Sequence, residues 1–566
     1  MSVRLILPLA LLLVVTHTVV GAEQAAPEGS APPRWEGPKP TFQVGSAPAL
    51  RKVFRQEAGT EVIGILAAAT PHIELARNEY QAVQVVVHAE GALKGLRVTV
   101  SELKQEGGEG SIPASDITAQ PVGYVPVIRP YYYKEYVKRP DSLWPDPLLE
   151  EQAVDVAAGD LQPFYLTVRT RPETPPGEYR GTVTVEAKGA PAQTLPLRVR
   201  VWAFLLPKES HLQTAFWVYG EQLLKYHKIP SKDDPRYGET LQAYYRDMLE
   251  HRMSPCEVGA NRPCPRVDVL AEKPDFSAWD AWMQGYIDQG LNCFWVPFGG
   301  YTDSRERLAG AARVWGRHLR EKGWSHLAYV FLVDESYAHE DWRQWVHEGD
   351  PELRNLLTHT PDPTYPAVDV WCPQMGRGWY AHPEKAAWAT GAGKTLWMYT
   401  SSPDDSRFYP NFNLDMLYPE TRLVPWVCFK HDIPGYLYWC VNMWEGGSPW
   451  ETAAGFKQQN GNGSVYYPGR NGPVHSIRLE AFRDGMQDYE YLYLLRQRVS
   501  QLRERGGEAA AFAAEASTLI DWGAKEDQAW LEELRSRPLR SNAEALLELR
   551  RGVARAIEEA DRLLAQ

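Results

Sequence analysis

The hydrophobic period of the chain changes near Pro207, and this limits the fold more than any single motif does. Between Thr41 and about Pro207, short runs alternate apolar and polar residues between turn signals. Examples are Ala82-Val83-Gln84-Val85-Val86-Val87, Phe164-Tyr165-Leu166-Thr167-Val168 and Leu197-Arg198-Val199-Arg200-Val201. Successive strand residues face opposite sides of a sheet, so a period of two without helical segments predicts an all-β sandwich. Beyond Pro207, apolar runs alternate with amphipathic helical stretches, the pattern of a parallel sheet built from βα units. The runs lie near 214–218, 254–257, 293–296, 328–333, 355–359, 367–371, 395–400 and 435–439, with helical stretches such as 239–250, 276–289 and 305–322 between several of them. Eight runs predict a (β/α)8 TIM-like barrel, the fifth being the least regular. From 476 onward Leu, Ala, Glu and Arg recur at helical spacing, which predicts a helical C-terminal region packed on the barrel.

The N-terminus does not belong to either pattern. Arg4 is followed by an apolar run over 5–15 and then by small residues around Val20-Gly21-Ala22, which reads as a secretory signal peptide over 1–22. The run is too short to span a membrane as a helix. Residues 23–45, rich in Pro, Gly, Ala and Ser, read as a flexible leader, so the expected mature protein starts near Glu23 and is exported, periplasmic or extracellular. The expected divisions downstream are a sandwich over 46–207, a barrel over 208–475 and a helical region over 476–566. The sandwich is expected to brace its neighbour.

Composition narrows the partner. With 566 residues, 44% hydrophobic and 23% charged, the chain has the make-up of a globular protein, which excludes disorder, collagen and a disulfide-held mini-scaffold. A formal charge of -12 argues against nucleic acid or an anionic membrane as the main partner, because both demand clustered Lys and Arg. A neutral ligand fits better, and the 21 Trp and 29 Tyr offer flat rings that stack on sugars or fill a large core. Of the six cysteines, Cys256 and Cys264 are spaced for a local bridge. Cys293, Cys372, Cys428 and Cys440 sit in or beside apolar runs and read as buried small hydrophobes.

Several motifs fail. Gly391-Ala392-Gly393-Lys394-Thr395 lacks the first glycine of a phosphate loop, since position 388 is Trp, and it precedes a strand. No GxSxG or HExxH occurs, metal-ligand spacing such as CxxC is missing, and no organic or metal cofactor is expected. Asn462-Gly463-Ser464 fits a glycosylation acceptor or a plain turn.

One constellation remains. The apolar run Ala328-Tyr329-Val330-Phe331-Leu332-Val333 ends abruptly in Asp334-Glu335. At the C-terminal end of a barrel strand, carboxylates reach the face where active sites form. Adjacent acids also suit the start of a helix, where they meet the positive end of its dipole. Consecutive strand residues point in opposite directions, so the pair serves one substrate only where strand gives way to loop. Adjacent carboxyls cannot flank one glycosidic bond as acid and nucleophile, which stand roughly 5–5.5 Å apart in retaining enzymes. A 2-acetamido group on the sugar can attack instead, with one acid orienting the amide and the other protonating the leaving oxygen.

The sequence resembles glycoside hydrolase family 123 and its wider sandwich-plus-barrel relatives. The resemblance rests on Leu75-Ala76-Arg77-Asn78-Glu79, the strand end 331–335, Val368-Asp369-Val370-Trp371 and Gly435-Tyr436-Leu437-Tyr438-Trp439. It continues through Ser476-Ile477-Arg478-Leu479-Glu480 into Phe482-Arg483-Asp484-Gly485-Met486-Gln487-Asp488-Tyr489-Glu490-Tyr491. It implies a β-N-acetylgalactosaminidase using the substrate's own acetamido group, with Asp334 polarising that group and Glu335 as general acid and base.

Other candidates depend on position alone. Trp371, Trp397 and Trp439 fall at or near strand ends, where a ring can floor a sugar subsite. Tyr399 and Tyr438 are candidate donors to the acetamido oxygen, and Asn442 and Trp444 lie in the loop after the eighth run. Glu445, or Asp369 within its strand, would serve as a conventional nucleophile on a non-acetamido sugar, which is the first rival. A non-catalytic glycan-binding protein is the second. Arg478, Glu480, Arg483, Asp484 and Asp488 read as a salt-bridged helix face.

Overall fold

The computed structural model describes residues 41–57, 59–68, 70–127, 130, 142–401, 409–521 and 542–566; the segment read as a signal peptide and most of the segment read as a leader lie outside them. The first strand, Phe42–Pro48, opens inside the 23–45 segment, with Phe42 fully buried. Up to Leu205 the chain forms two sheets. One orders its strands Phe42–Pro48, Tyr80–Ala89, Leu161–Arg169, Ile117–Pro126 and Leu143–Leu148. The other is built on His72–Arg77, Gln193–Leu205, Gly177–Glu186, Leu93–Val100 and Val154–Val156. Val83, Val85, Phe164 and Leu166 from the first meet Leu75, Val183, Leu197 and Val199 from the second in one buried core, as the period-two runs predict. One helix, Gly59–Ala67, interrupts the strands; its β-branched Val62 and Ile63 give little helical signal.

Between Gln213 and Tyr438 the strand pairing is parallel. Gln213–Phe216 pairs with Gly435–Tyr438, which also pairs with Met398–Thr400. Val370–Trp371 lies between Leu356–Leu357 and Thr395–Leu396, and Phe294–Trp295 pairs with Ala328–Tyr329. Single parallel bridges link Phe216 to Pro255, Val330 to Asn355 and Gln374 to Tyr399. The result is a curled sheet with shorter strands than the apolar runs predict. Run 254–257 contributes only a bridge, and 358–369 contains no helix. Curling brings large rings very close to backbone: a Cβ on Gly435 would fall 1.9 Å from the indole of Trp397. Helices lie between the strands, and their ends follow sequence rules. In Arg305–Lys322, the Ser304 hydroxyl accepts the Arg307 N–H at 3.2 Å, and Gly323 closes the far end at φ 73°.

The C-terminal region is helical, with Ile477–Arg505, Gly507–Ser517 and Ala543–Leu564. The first of these is no solvated salt-bridged face: Arg478, Glu480, Arg483, Asp484 and Asp488 are all buried. Arg478 makes two hydrogen bonds to Asp146, at 3.0 and 2.8 Å. Arg422, from the helix Tyr418–Lys430, grips Asp488 at 2.6 and 2.8 Å and Asp484 at 3.2 Å. Arg550 joins Asp488 at 2.7 Å and also pairs with Glu79, which accepts the Tyr491 hydroxyl at 2.6 Å. Gly485 permits this approach, since a Cβ there would meet the Arg422 carbonyl oxygen at 2.3 Å. All six cysteines are buried and free, so the bridge expected between Cys256 and Cys264 does not form. Among the described residues no helix is long and apolar enough to cross a membrane.

Breaking one partner of a buried ion network leaves the other charges uncompensated. Asp488→Asn should therefore cost about 3–5 kcal/mol. Arg555→Ala, which removes an exposed pair with Glu548, should cost less than about 1 kcal/mol. Urea unfolding midpoints of the two variants test the contrast, and equal midpoints would contradict a central role for the network.

Candidate active site

The site forms where the strand Ala328–Tyr329 leaves the sheet. After Val330 makes its bridge to Asn355, Phe331 stacks on Trp295, centroids 5.0 Å apart and planes at 15°, with Trp217 edge-on at 5.3 Å. These rings come from three successive strand ends and form a packed base. Asp334 and Glu335 follow in a bend, and Glu335 takes φ 45°, in the left-handed region. A residue other than glycine pays about 1–2 kcal/mol for that conformation. It also ends the strict alternation of side-chain directions that would send the two carboxyls to opposite faces.

Neighbouring strand ends hold the bend. The Glu335 N–H donates to Thr358 Oγ1 at 2.8 Å, and the Thr358 hydroxyl donates to Asp334 Oδ1 at 2.6 Å, so one buried threonine clasps both residues. Tyr399, at the end of Met398–Thr400, donates its hydroxyl to Glu335 Oε1. Each carboxylate thus has its own tether, and both residues remain open to solvent on the other side. Burial against the protein raises the pKa of Asp334, and the charge of Glu335 adds to the rise against hydrogen bonds from Thr358 and the Glu335 N–H. Burial raises Tyr399 far above the usual phenol value, aided by its bond to Glu335, so it acts as a neutral donor. His359 is half-buried over the Tyr337 ring at 3.8 Å, and desolvation lowers its pKa although Glu335 opposes this.

The other expected site residues are mostly structural. Trp371 and Trp397 are fully buried, Trp397 against Tyr329 at 4.7 Å, so neither floors an open subsite. Tyr438 is also fully buried; its hydroxyl accepts the Gly463 N–H at 2.8 Å and its ring stacks on Phe412 at 4.3 Å. Trp444 is buried, with its indole N–H on the Tyr466 carbonyl at 2.9 Å. Asn442 is spent on backbone: it accepts the Tyr219 N–H at 2.8 Å and donates to the Tyr219 carbonyl at 3.1 Å. Trp439 is half-buried against Phe456 at 4.9 Å, and it donates to Asn462 at 3.1 Å. Asp369 precedes Val370–Trp371 and so lies at the opposite end of the sheet from Asp334, bound to His347 at 2.8 Å and to the Asn355 N–H at 2.9 Å. Glu445 is exposed in the loop after Gly435–Tyr438.

Sequence reading missed Thr358, His359, Tyr219 and Glu257. Tyr219 is 39% exposed; burial of the rest of the ring raises its pKa, and Asp334 is among the charges that add to the rise. Glu257 is buried beside the Val218 N–H at 3.3 Å, and desolvation raises its pKa well above the ordinary value. All four fall just after a strand or bridge, so the rule that singled out Asp334 and Glu335 would have found them had the strand ends been known. At the other end of the sheet, a 590 Å³ recess is lined by Ser210, His211, Gln213, Asn292, His326 and Arg354. Arg354 is spent there on the carbonyls of Ser325, His326 and Ala328.

The catalytic-domain model of glycoside hydrolase 123 matches residues 306–495, and the N-terminal-domain model of the same family matches 70–187. Among solved structures, a family 123 glycoside hydrolase from Clostridium perfringens, described for glycolipid glycan hydrolysis, superposes with a TM-score of 0.67. It is 15% identical, with 93% of this chain and 100% of that chain covered. A family 39 glycoside hydrolase from Bacteroides cellulosilyticus reaches a TM-score of only 0.32, at 11% identity over 74% of this chain and 81% of that one. No curated protein matches the chain. The segment matched as catalytic contains Asp334, Glu335, Thr358 and Tyr399, and the segment matched as N-terminal lies in the two-sheet region. The chain therefore belongs to glycoside hydrolase family 123.

Proposed function

We propose that the protein is an exported, retaining exo-glycosidase that removes a terminal β-linked 2-acetamido sugar, N-acetylgalactosamine above all, with the acetamido group as nucleophile. The observation that carries this reading is the bend at Glu335: two adjacent carboxylates on one strand end, each separately tethered. The parallel pairings and bridges around the curled sheet favour reading it as a (β/α)8 barrel with the acids on its C-terminal face. Export rests on the signal-peptide pattern over 1–22.

In the first step the acetamido oxygen attacks the anomeric carbon while the bond to the leaving oxygen breaks. Glu335 gives its proton to that oxygen. Asp334, ionised, accepts the amide N–H and stabilises the positive charge of the cyclised intermediate. In the second step Glu335 takes a proton from water, whose oxygen attacks the same carbon and reopens the ring, so two inversions give net retention. Tyr399 and Thr358 are positioning residues. Asp369 is removed as a protein nucleophile by its place at the other end of the sheet, which leaves Glu445 for the rival route.

A panel of chromogenic glycosides comparing each acetamido sugar with its 2-hydroxyl counterpart should show cleavage of the acetamido members only, with a thiazoline mimic of the cyclised intermediate as a competitive inhibitor. Efficient cleavage of 2-hydroxyl sugars and indifference to the thiazoline would favour the protein nucleophile. Glu335→Gln should lower kcat about 10² or more on natural leaving groups, the usual worth of a general acid; unchanged turnover would rule out its role. Because Asp334 works ionised and its pKa is raised, kcat/KM should fall as pH drops through a value above the ordinary aspartate pKa. Asp334→Asn should remove that limb from the residual activity, and persistence of the limb would assign it elsewhere.

A further inference from the structure

Away from the acids, four side chains from separate segments converge: Asp247 in the helix Pro235–Glu250, His251 just after it, His475 at the end of Pro473–His475, and Glu480 in Ile477–Arg505. Both imidazoles turn one nitrogen to Glu480 Oε1, from His475 Nδ1 at 2.8 Å and from His251 Nε2 at 3.1 Å. Their other nitrogens face Asp247, with His475 Nε2 at 2.8 Å from Oδ1 and His251 Nδ1 at 3.4 Å from Oδ2. Tyr466 donates its hydroxyl to Asp247 Oδ2 at 2.6 Å. One ligand atom from each of Asp247, His251 and His475 lies within 4.8 Å of the others.

This is the layout of a metal centre with its outer shell in place. Metal-ligating histidines characteristically donate their second N–H to a carboxylate, which fixes the tautomer and aims the free lone pair. Here one carboxylate does so for two histidines. We propose that Asp247, His251 Nδ1 and His475 Nε2 form a binding site for a zinc-class divalent ion, with Glu480 and Tyr466 as its outer shell. A tetrahedral centre with bonds of about 2.0–2.1 Å sets its ligand atoms ~3.3 Å apart. His251 Nδ1 already has that spacing from Asp247 Oδ2, at 3.4 Å, whereas His475 Nε2 faces the other oxygen, Oδ1, at 2.8 Å, so the carboxylate must turn to present one oxygen to both.

Charge favours an added cation. Glu480 has Arg483 as a partner, whereas the ion-pair partners of Asp247 among the described residues are the two histidines. The rival occupant is a proton. Burial opposes protonation of His475, but Asp247 and Glu480 hold its pKa up at about 10, and His251 Nδ1 can then donate to the Asp247 carbonyl oxygen at 2.8 Å. The site would pin the helix carrying Asp247 to the start of Ile477–Arg505, and it does not depend on the glycosidase reading.

The test is calorimetric titration of Zn²⁺ into the full chain after exhaustive dialysis against EDTA, in two buffers of different ionisation enthalpy at neutral pH. One equivalent should bind, and Co²⁺ should give the intense visible bands of a four-coordinate site. Glu480→Gln should weaken binding about 10–100-fold, the usual effect of removing an outer-shell carboxylate. His475→Gln and His251→Gln, checked for folding by circular dichroism, should abolish the stoichiometric site. Absence of zinc uptake by the wild-type chain would assign the cluster to the proton. Uptake unaltered in both histidine variants, or only the pale bands of octahedral Co²⁺, would place the ion elsewhere and overturn the proposal.

Discussion

Asp488 is the point on which the rest of the architecture depends. It is fully buried yet shared by two arginines that arrive from opposite sides: Arg422 from a helix of the parallel-sheet region and Arg550 from the last helix. Burial alone would raise its pKa, and the two guanidinium groups hold it below the ordinary aspartate value instead. Arg550 then reaches Glu79 in the turn between two strands of the N-terminal sheets, and Gln487 exchanges hydrogen bonds with the backbone of Tyr80 at 2.7 and 2.9 Å. One carboxylate therefore indexes three parts of the chain to each other. Apolar packing alone tolerates small slides, whereas a bidentate pair in a dry setting has one geometry.

That registration bears on the acids, which are far from Asp488 in sequence but depend on where strand ends stop. The bend at Glu335 stores backbone strain, and such strain persists only where surrounding contacts fix it. Thr358 and Tyr399 do this from separate strands, so a change in the relative stagger of the parallel strands would break both tethers at once. The strands are only two to four residues long, which leaves little backbone pairing to set stagger. The packing of large buried rings takes on that task, with Trp397 over Gly435 and Trp295 under Phe331.

Legibility in the sequence followed the physics of each element. Period-two runs such as 197–201 announced their strands because Leu197, Val199 and Val201 are buried while Arg198 and Arg200 face outward, so register is enforced. The bend at 334–335 was legible because two charges after a six-residue apolar run mark where the chain leaves the sheet. The tryptophans were not, because an indole at a strand end reads alike whether it faces solvent or core, and Trp371 and Trp444 turned inward. Asn442 misled for the same reason: an amide suited to a sugar hydroxyl is equally suited to the unpaired backbone of Tyr219. The block around 478–488 is salt-bridged, as its helical spacing predicts, but spacing records which residues share a face and not that the face is buried.

The same ambiguity explains why Asp369 and Asp334 part company. Both are aspartates beside an apolar strand segment, and composition does not separate them. Asp369 comes before its strand and Asp334 after, and in a parallel sheet those positions lie at opposite ends. Asp369 is satisfied by His347, Lys394 and a backbone N–H. Asp334 takes the Thr358 hydroxyl on Oδ1 and a hydrogen bond from the Glu335 N–H, and is otherwise open to solvent. A carboxylate held on one side and exposed on the other adds little to the fold, so stability alone does not account for the strained bend at Glu335.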